Sequence, residues 1–148
     1  SERLSARRKW LTADLDRDDQ TSLFEAFLAT ARRVEEFYQT DSRLPTEHAL
    51  LDDNGDRRGT PANWFRGLRP TRQAEDGAAV DGLRAHQVHL VRAPGERLLP
   101  PGLRQRRDEL EQAIARLRDA KAAVPEEEYY RQLETLLLAL ARLYQAAH

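Results

Sequence analysis

Asp14, Asp16 and Asp18 alternate along the stretch DLDRDDQTSLFE. Three carboxylates so close together repel one another, so an empty loop costs stability and a cation among them relieves it. The pattern continues. With Asp14 first, Asp16 falls third, Asp18 fifth, Gln20 seventh, Ser22 ninth and Glu25 twelfth. These are the positions from which an EF-hand loop offers oxygens to Ca2+, the seventh through its backbone carbonyl and the twelfth as a bidentate carboxylate. A hard cation that takes six to eight oxygens suits this set. Two residues depart from the pattern. Asp19 stands sixth, where glycine normally makes a sharp positive-φ turn, at a cost of roughly 1 kcal/mol. Thr21 stands eighth, where a large aliphatic is usual. The expected site is weak, toward ~10⁻⁴ to 10⁻³ M. A plainer reading stands beside it: Ser22 and Glu25 have the spacing of a capping box, so the segment can simply be an acidic turn that starts a helix.

A second polar loop, DDNGDRRGTPAN, places Asp52, Asn54, Asp56, Arg58, Thr60 and Asn63 at the same six positions. The first three and Thr60 offer oxygens. Asn63 stands where the closing glutamate belongs, and Arg57 and Arg58 bring positive charge close. The loop reads as a weaker metal site or as a turn built on Asn54-Gly55. Other chemistry-bearing residues form weaker constellations. His86 and His89 can share a helix face but lack a third ligand. Glu47 and His48 make an acid/base pair with no nucleophile beside it. Arg7, Arg8 and Lys9 read as a solvated face. The chain has no Cys, which excludes disulfides, thiolate metal sites and a cysteine nucleophile of its own. A glycine-rich phosphate loop is also missing from the sequence.

The elements that must hold these loops are mainly helical. Ala, Leu, Arg and Glu dominate, and aromatics make up only 7% of the chain, which disfavours a thick sandwich core. Residues 4 to 13 predict a short helix with Leu4, Trp10 and Leu11 inward. Leu23, Phe24, Phe27, Leu28, Ala31, Val34 and Phe37 predict an amphipathic helix from Ser22 to about Tyr38, ending near Asp41. Trp64 and Phe65 are expected to anchor the second loop. Residues 66 to 82 read as irregular, and Leu83 to Val91 as the one short strand. The prolines and glycines of 93 to 102 predict a linker. Leu103, Leu110, Ile114 and Leu117 mark one further helix. Pro125 and the acids that follow open another, with Tyr129, Leu133, Leu136, Leu137, Leu140, Leu143 and Tyr144 along its inner face. The short break predicts an antiparallel helical hairpin. The expected organisation is therefore a loop-bearing, EF-hand-like body (1–92), a linker (93–102) and a hairpin (103–148).

With 24 Lys+Arg against 25 Asp+Glu, the chain has no global field for nucleic acid or an anionic membrane, so neither is expected as a partner. No apolar run approaches the ~20 residues of a membrane span, and the basic start lacks the apolar core of a signal peptide. A start at Ser1 rather than Met suggests a piece of a longer protein or a processed product. A two-helix hairpin cannot cover its own apolar stripe, which suggests a homodimer or a protein partner docked on it.

Three stretches, DLDRDDQTSLFEAFLATARRVEEFYQ, LPTEHALLDDNGDRRGTPANWFRG and DGLRAHQVHLVRA, together resemble the C-terminal part of bacterial caspase-like or legumain-type cysteine peptidases of planctomycete type. The tail RRDELEQAIARLRDAKAAVPEEEYYRQLETLLLALARLY resembles the helices that close those chains, so the likeness spans roughly residues 13 to 144. It implies that the catalytic His and Cys come from an upstream domain and that no catalytic residue carries over. It also implies an extracytoplasmic setting. The resemblance also implies Gly where this chain has Asp19 and Arg57, the sixth position of each loop. The leading expectation is a non-catalytic, calcium-stabilised C-terminal region whose partner is the parent peptidase domain. An interaction or oligomerisation module built on the hairpin, and an enzyme subunit completed by a partner supplying His and Cys, are the alternatives.

Overall fold

The computed structural model describes residues 13–74 and 77–147. The helix expected at residues 4 to 13 lies almost wholly outside them. The chain divides into two compact units, Ser1–Ala93 and Pro94–His148. It is mainly helical, with a few short strands and no closed sheet among the described residues. None of its helices is long and apolar enough to cross a membrane, again among those residues.

The first unit is organised by one helix, α1 (Leu23–Thr40). Its start is fixed by Ser22, extended at φ −81°, which accepts the Glu25 N–H while the Glu25 carboxylate reaches back to the Ser22 N–H. This reciprocal box satisfies two of the amide groups that a helix start leaves without partners. The helix buries Phe24, Glu25 and Ala29 and stops at Asp41, within three residues of the predicted end. Phe24 is the hub of the small core: its ring meets Phe65 edge-on at 4.8 Å, so Phe65 does anchor the second loop.

Short antiparallel ladders tie the loops together. Strand β1 (Thr21–Ser22) pairs with β6 (His89–Val91), β2 (Leu50–Leu51) with β3 (Thr60–Pro61), and β4 (Phe65–Arg66) with β5 (Arg69–Pro70). This corrects the expectation of at most one strand, because pieces of two or three residues leave no readable alternation in a sequence. Residues 66–70, read as irregular, form with Phe65 a tight ladder in which Gly67 takes φ +60°. The expected strand at 83–91 is also corrected. Leu83–Gln87 is a helical turn, α2, and only His89–Val91 is strand. The cause is remote in sequence: the Asp53 carboxylate accepts the Gly82 and Ala85 N–H groups, each at 2.9 Å, and so starts the turn as a cap would.

In the second unit, α3 (Pro94–Leu98) occupies part of the stretch expected to be a linker. It is held there by Glu96, whose carboxylate takes a two-pronged hydrogen bond from Arg107 at 2.7 and 2.8 Å, with Arg104 Nε 3.3 Å away. Helix α4 (Pro101–Asp119) buries Leu110, Ile114 and Leu117, and α5 (Glu126–Ala146), joined to it through a 3₁₀ turn at Lys121–Ala123, buries Tyr129 and Leu143. Leu137 and Tyr144, expected on the inner face of this helix, are each 44% exposed. The apolar stripe of α5 is wider than a single neighbouring helix covers.

Candidate metal centre

The first loop wraps its backbone around its own carboxylates. Asp14 accepts the Asp18 N–H at 3.1 Å and the Asp19 N–H at 3.0 Å, one on each oxygen. Asp16 accepts the Asp18 N–H at 3.3 Å, and Asp18 accepts the Gln20 N–H at 2.9 Å. Two left-handed residues, Arg17 (φ 60°) and Asp19 (φ 61°), make the turns that aim the three side chains inward. Each such residue costs about 1 kcal/mol without glycine. One oxygen from each of Asp14, Asp16 and Asp18 lies within 4.8 Å of the others, a spacing a single cation can span. Gln20 braces the loop, donating its amide to Asp18 and accepting the Ala93 N–H. Glu25 falls outside that cluster but closes the loop behind it. Its buried carboxylate accepts the Leu15 N–H at 2.8 Å on one oxygen, and the Ser22 N–H (2.8 Å) and hydroxyl (2.9 Å) on the other.

The second loop repeats most of this arrangement, except that its first residue accepts from the third residue on rather than the fourth. Asp52 accepts the Gly55 and Arg57 N–H groups, Asn54 accepts that of Asp56, and Asp56 accepts that of Arg58. Gly55 (φ 78°) and Arg57 (φ 64°) occupy the fourth and sixth positions, where Arg17 and Asp19 stand in the first loop. Asn63, the residue at the closing position by spacing, is exposed. The carboxylate that occupies the place Glu25 takes behind the first loop is that of Asp81. It accepts the Asp53 N–H at 3.0 Å and the Thr60 hydroxyl at 2.7 Å, and its own N–H donates to Thr60 Oγ1 at 3.2 Å. In the first loop the same three bonds run from Leu15 N–H and Ser22 Oγ to Glu25, and from Glu25 N–H to Ser22 Oγ at 3.2 Å. Glu25 follows its hydroxyl partner by 3 residues, Asp81 by 21.

The carboxylates carry the strain of this crowding. Asp16 is raised to about 6 by loss of hydration and by the charges of Asp18 and Glu25, with His86 opposing. Asp18 goes the other way. Partial desolvation pushes it up, but hydrogen bonds from Gln20 and Asp16 outweigh that and hold it below the usual range. The two neighbouring carboxylates are thus pushed in opposite directions, Asp16 toward holding a proton and Asp18 toward losing one. Asp81 is raised by burial and by the neighbouring Asp53, against the hydrogen bonds it receives.

His86 links the first loop to α2. Its Nδ1 lies 2.9 Å from Ser22 Oγ and its Nε2 3.2 Å from Asp16 Oδ2. Serine, histidine and aspartate in a chain are the residue types of a hydrolase triad. Here Ser22 is fully buried and its hydroxyl donates to Glu25, so no substrate carbonyl can reach it. The histidine positions the loop. His89, also considered from sequence, is half-buried with its ring 6.4 Å from that of His86. Glu47 and His48 line an apolar groove beside α1 with Phe27 and Val34, away from the loops' carboxylates. Sequence reasoning missed Asp81, Asp53 and His86 as parts of the loops. Only Asp81-Gly82, a turn signal ahead of Leu83, marks the first of these locally. No protein-family model, curated protein or solved structure matches this chain.

Proposed function

We propose that the first unit is a calcium-stabilised, non-catalytic module carrying two EF-hand-type loops, and that it serves as the C-terminal region of a larger caspase-like or legumain-type peptidase. The cation in the first loop takes oxygens from Asp14, Asp16 and Asp18 and the Gln20 carbonyl, with Ser22 and Glu25 closing the coordination shell. The second takes Asp52, Asn54, Asp56 and the Arg58 carbonyl, closed by Thr60 and Asp81. The observation that carries this reading is the repetition of one hydrogen-bond scheme in two loops of different sequence. A helix cap alone accounts for Ser22 and Glu25, but not for a second loop that recruits a distant carboxylate to the same place. The cation's role is structural: it neutralises the carboxylates and orients α1 and α2. The link to a peptidase rests on the sequence resemblance. In the second unit, the short connection between α4 and α5 supports the reading of an antiparallel helical hairpin, the surface offered to the parent domain or another partner.

The test is thermal unfolding in calcium and in chelator, for this chain and for Glu25→Gln. At ~10 mM calcium and a Kd near 0.3 mM, each site adds roughly 2 kcal/mol. That is a midpoint shift of about 10 °C for a unit of this size. Part of the shift should vanish in Glu25→Gln. A midpoint indifferent to calcium would leave the loops as caps and refute the proposal.

A further inference from the structure

The chain has two asparagines, and the residues that follow them differ in the property that decides how an asparagine ages. Asn63 precedes Trp64, whose bulk shields its own amide nitrogen. Asn54 precedes Gly55, which has no side chain to shield it. No atom lies within 4 Å of where a Cβ on Gly55 would stand. Both residues belong to the second loop, where Gly55 is exposed and Asn54 half-buried.

We infer that Asn54 is a modification site, at which the loop's own backbone converts the side-chain amide to a carboxylate. The Gly55 nitrogen gives its proton to hydroxide and attacks Asn54 Cγ. A C–N bond forms, the Cγ–Nδ2 bond breaks, and the amide leaves as ammonia with a proton from water. The product is a five-membered cyclic imide. Water then opens the ring at either carbonyl, leaving an aspartate or an isoaspartate. Neither step needs an oxidant or a cofactor. The loop's hydrogen bonds gate the reaction. The Gly55 N–H donates to Asp52 Oδ1 at 2.8 Å, so the proton that must leave is held by a carboxylate, whose charge opposes a second one on the nitrogen. Asn54 Oδ1 accepts the Asp56 N–H at 2.8 Å, which keeps Cγ from turning onto Gly55. The reactive form is therefore the opened loop. Opening is favoured by the left-handed Arg57 (φ 64°), a conformation that a side chain makes costly. The two products act oppositely on the loop. Aspartate completes a row of three carboxylates with Asp52 and Asp56, matching Asp14, Asp16 and Asp18. Isoaspartate adds a carbon to the backbone and draws the Arg57 N–H off the Asp52 oxygen it meets at 3.0 Å.

The test is incubation of the full chain in mildly alkaline buffer, with and without urea. Peptide mass spectrometry locates the lost amide, and an isoaspartate-specific methyltransferase counts the isoaspartate. Loss should fall on Asn54 and hardly on Asn63. Urea should speed it at least about tenfold. Asp52→Ala frees the Gly55 N–H and should speed it at least about fivefold while tryptophan fluorescence stays native. Resting on the reading of this loop as a cation site, calcium should slow the native rate and leave the rate in urea alone. A rate indifferent to calcium beside intact acceleration by urea would uphold the gate and count against the cation alone. Equal loss at Asn63, no loss at Asn54 even in urea, a native rate equal to the rate in urea, or slowing by Asp52→Ala would each overturn the inference.

Discussion

Replacing Asp81 by Ala is the change that most sharply separates what the fold uses from what loop spacing alone suggests. The Asp81 carboxylate is buried, and it holds the Asp53 N–H at 3.0 Å and the Thr60 hydroxyl at 2.7 Å. Hydrogen bonds to a charged acceptor contribute about 1.5–3 kcal/mol each, and the orphaned donors add a desolvation cost. Against this, the substitution relieves repulsion between Asp81 and Asp53, the pressure that raises Asp81. The net loss should be about 2–4 kcal/mol. Asn63→Ala, at the closing position by count, should cost less than about 0.5 kcal/mol because the residue is exposed. Urea unfolding followed by tryptophan fluorescence reads this unit directly, since both tryptophans, Trp10 and Trp64, lie within Ser1–Ala93. Equal effects for the two variants, or a larger one for Asn63→Ala, would refute the assignment of Asp81 as the closing carboxylate.

Gly82 sits at φ +129°, and a Cβ there would meet the Phe24 ring at 3.1 Å, so Gly82→Ala should destabilise by about 2–4 kcal/mol in the same assay. Gly102→Ala, inside α4 with open space around it, should instead stabilise by about 0.5–1 kcal/mol. Glu96→Ala removes the two-pronged bond to the Arg107 guanidinium, whose side chain is only 10% exposed, and leaves it Asp108 at 3.1 Å, so it should cost about 1.5–3 kcal/mol by chemical denaturation. Adding Arg107→Met should restore much of that loss. Asp16, lifted from 3.8 to about 6, binds a proton in the folded state that the unfolded chain has already lost. In calcium-free buffer its contribution to stability should therefore fall as pH rises from about 4 to 6 and stay low above. The stabilisation by calcium, which replaces that proton, should be larger at pH 7.5 than at pH 5, measured as the shift in unfolding midpoint.

What could be read in the sequence is what is local. The capping pair Ser22 and Glu25 and the apolar period from Leu23 to Phe37 locate α1, because both signals are complete within a few turns. Pro125 likewise marks the start of α5, whereas Pro101, read as linker, opens α4. Tertiary partners escaped. Asp81 reaches Thr60 across 21 residues, and His86 reaches Ser22 across 64, distances at which spacing rules say nothing. The misreading of Leu83–Val91 has the same origin, since its weak alternation is overruled by Asp53 holding the Gly82 and Ala85 amides. The faces of α5 show a subtler limit. Seven apolar residues signal one helix but not which of them meet a neighbour, and Leu137 and Tyr144 prove to face outward.

Calorimetric titration of calcium into the chain, into Glu25→Gln and into Asp81→Asn tests the central claim most directly. Two weak sites in the parent chain, one lost in each variant, with a Kd near ~10⁻⁴ to 10⁻³ M, is the predicted result. No binding up to ~10 mM, or binding that neither substitution alters, would contradict it.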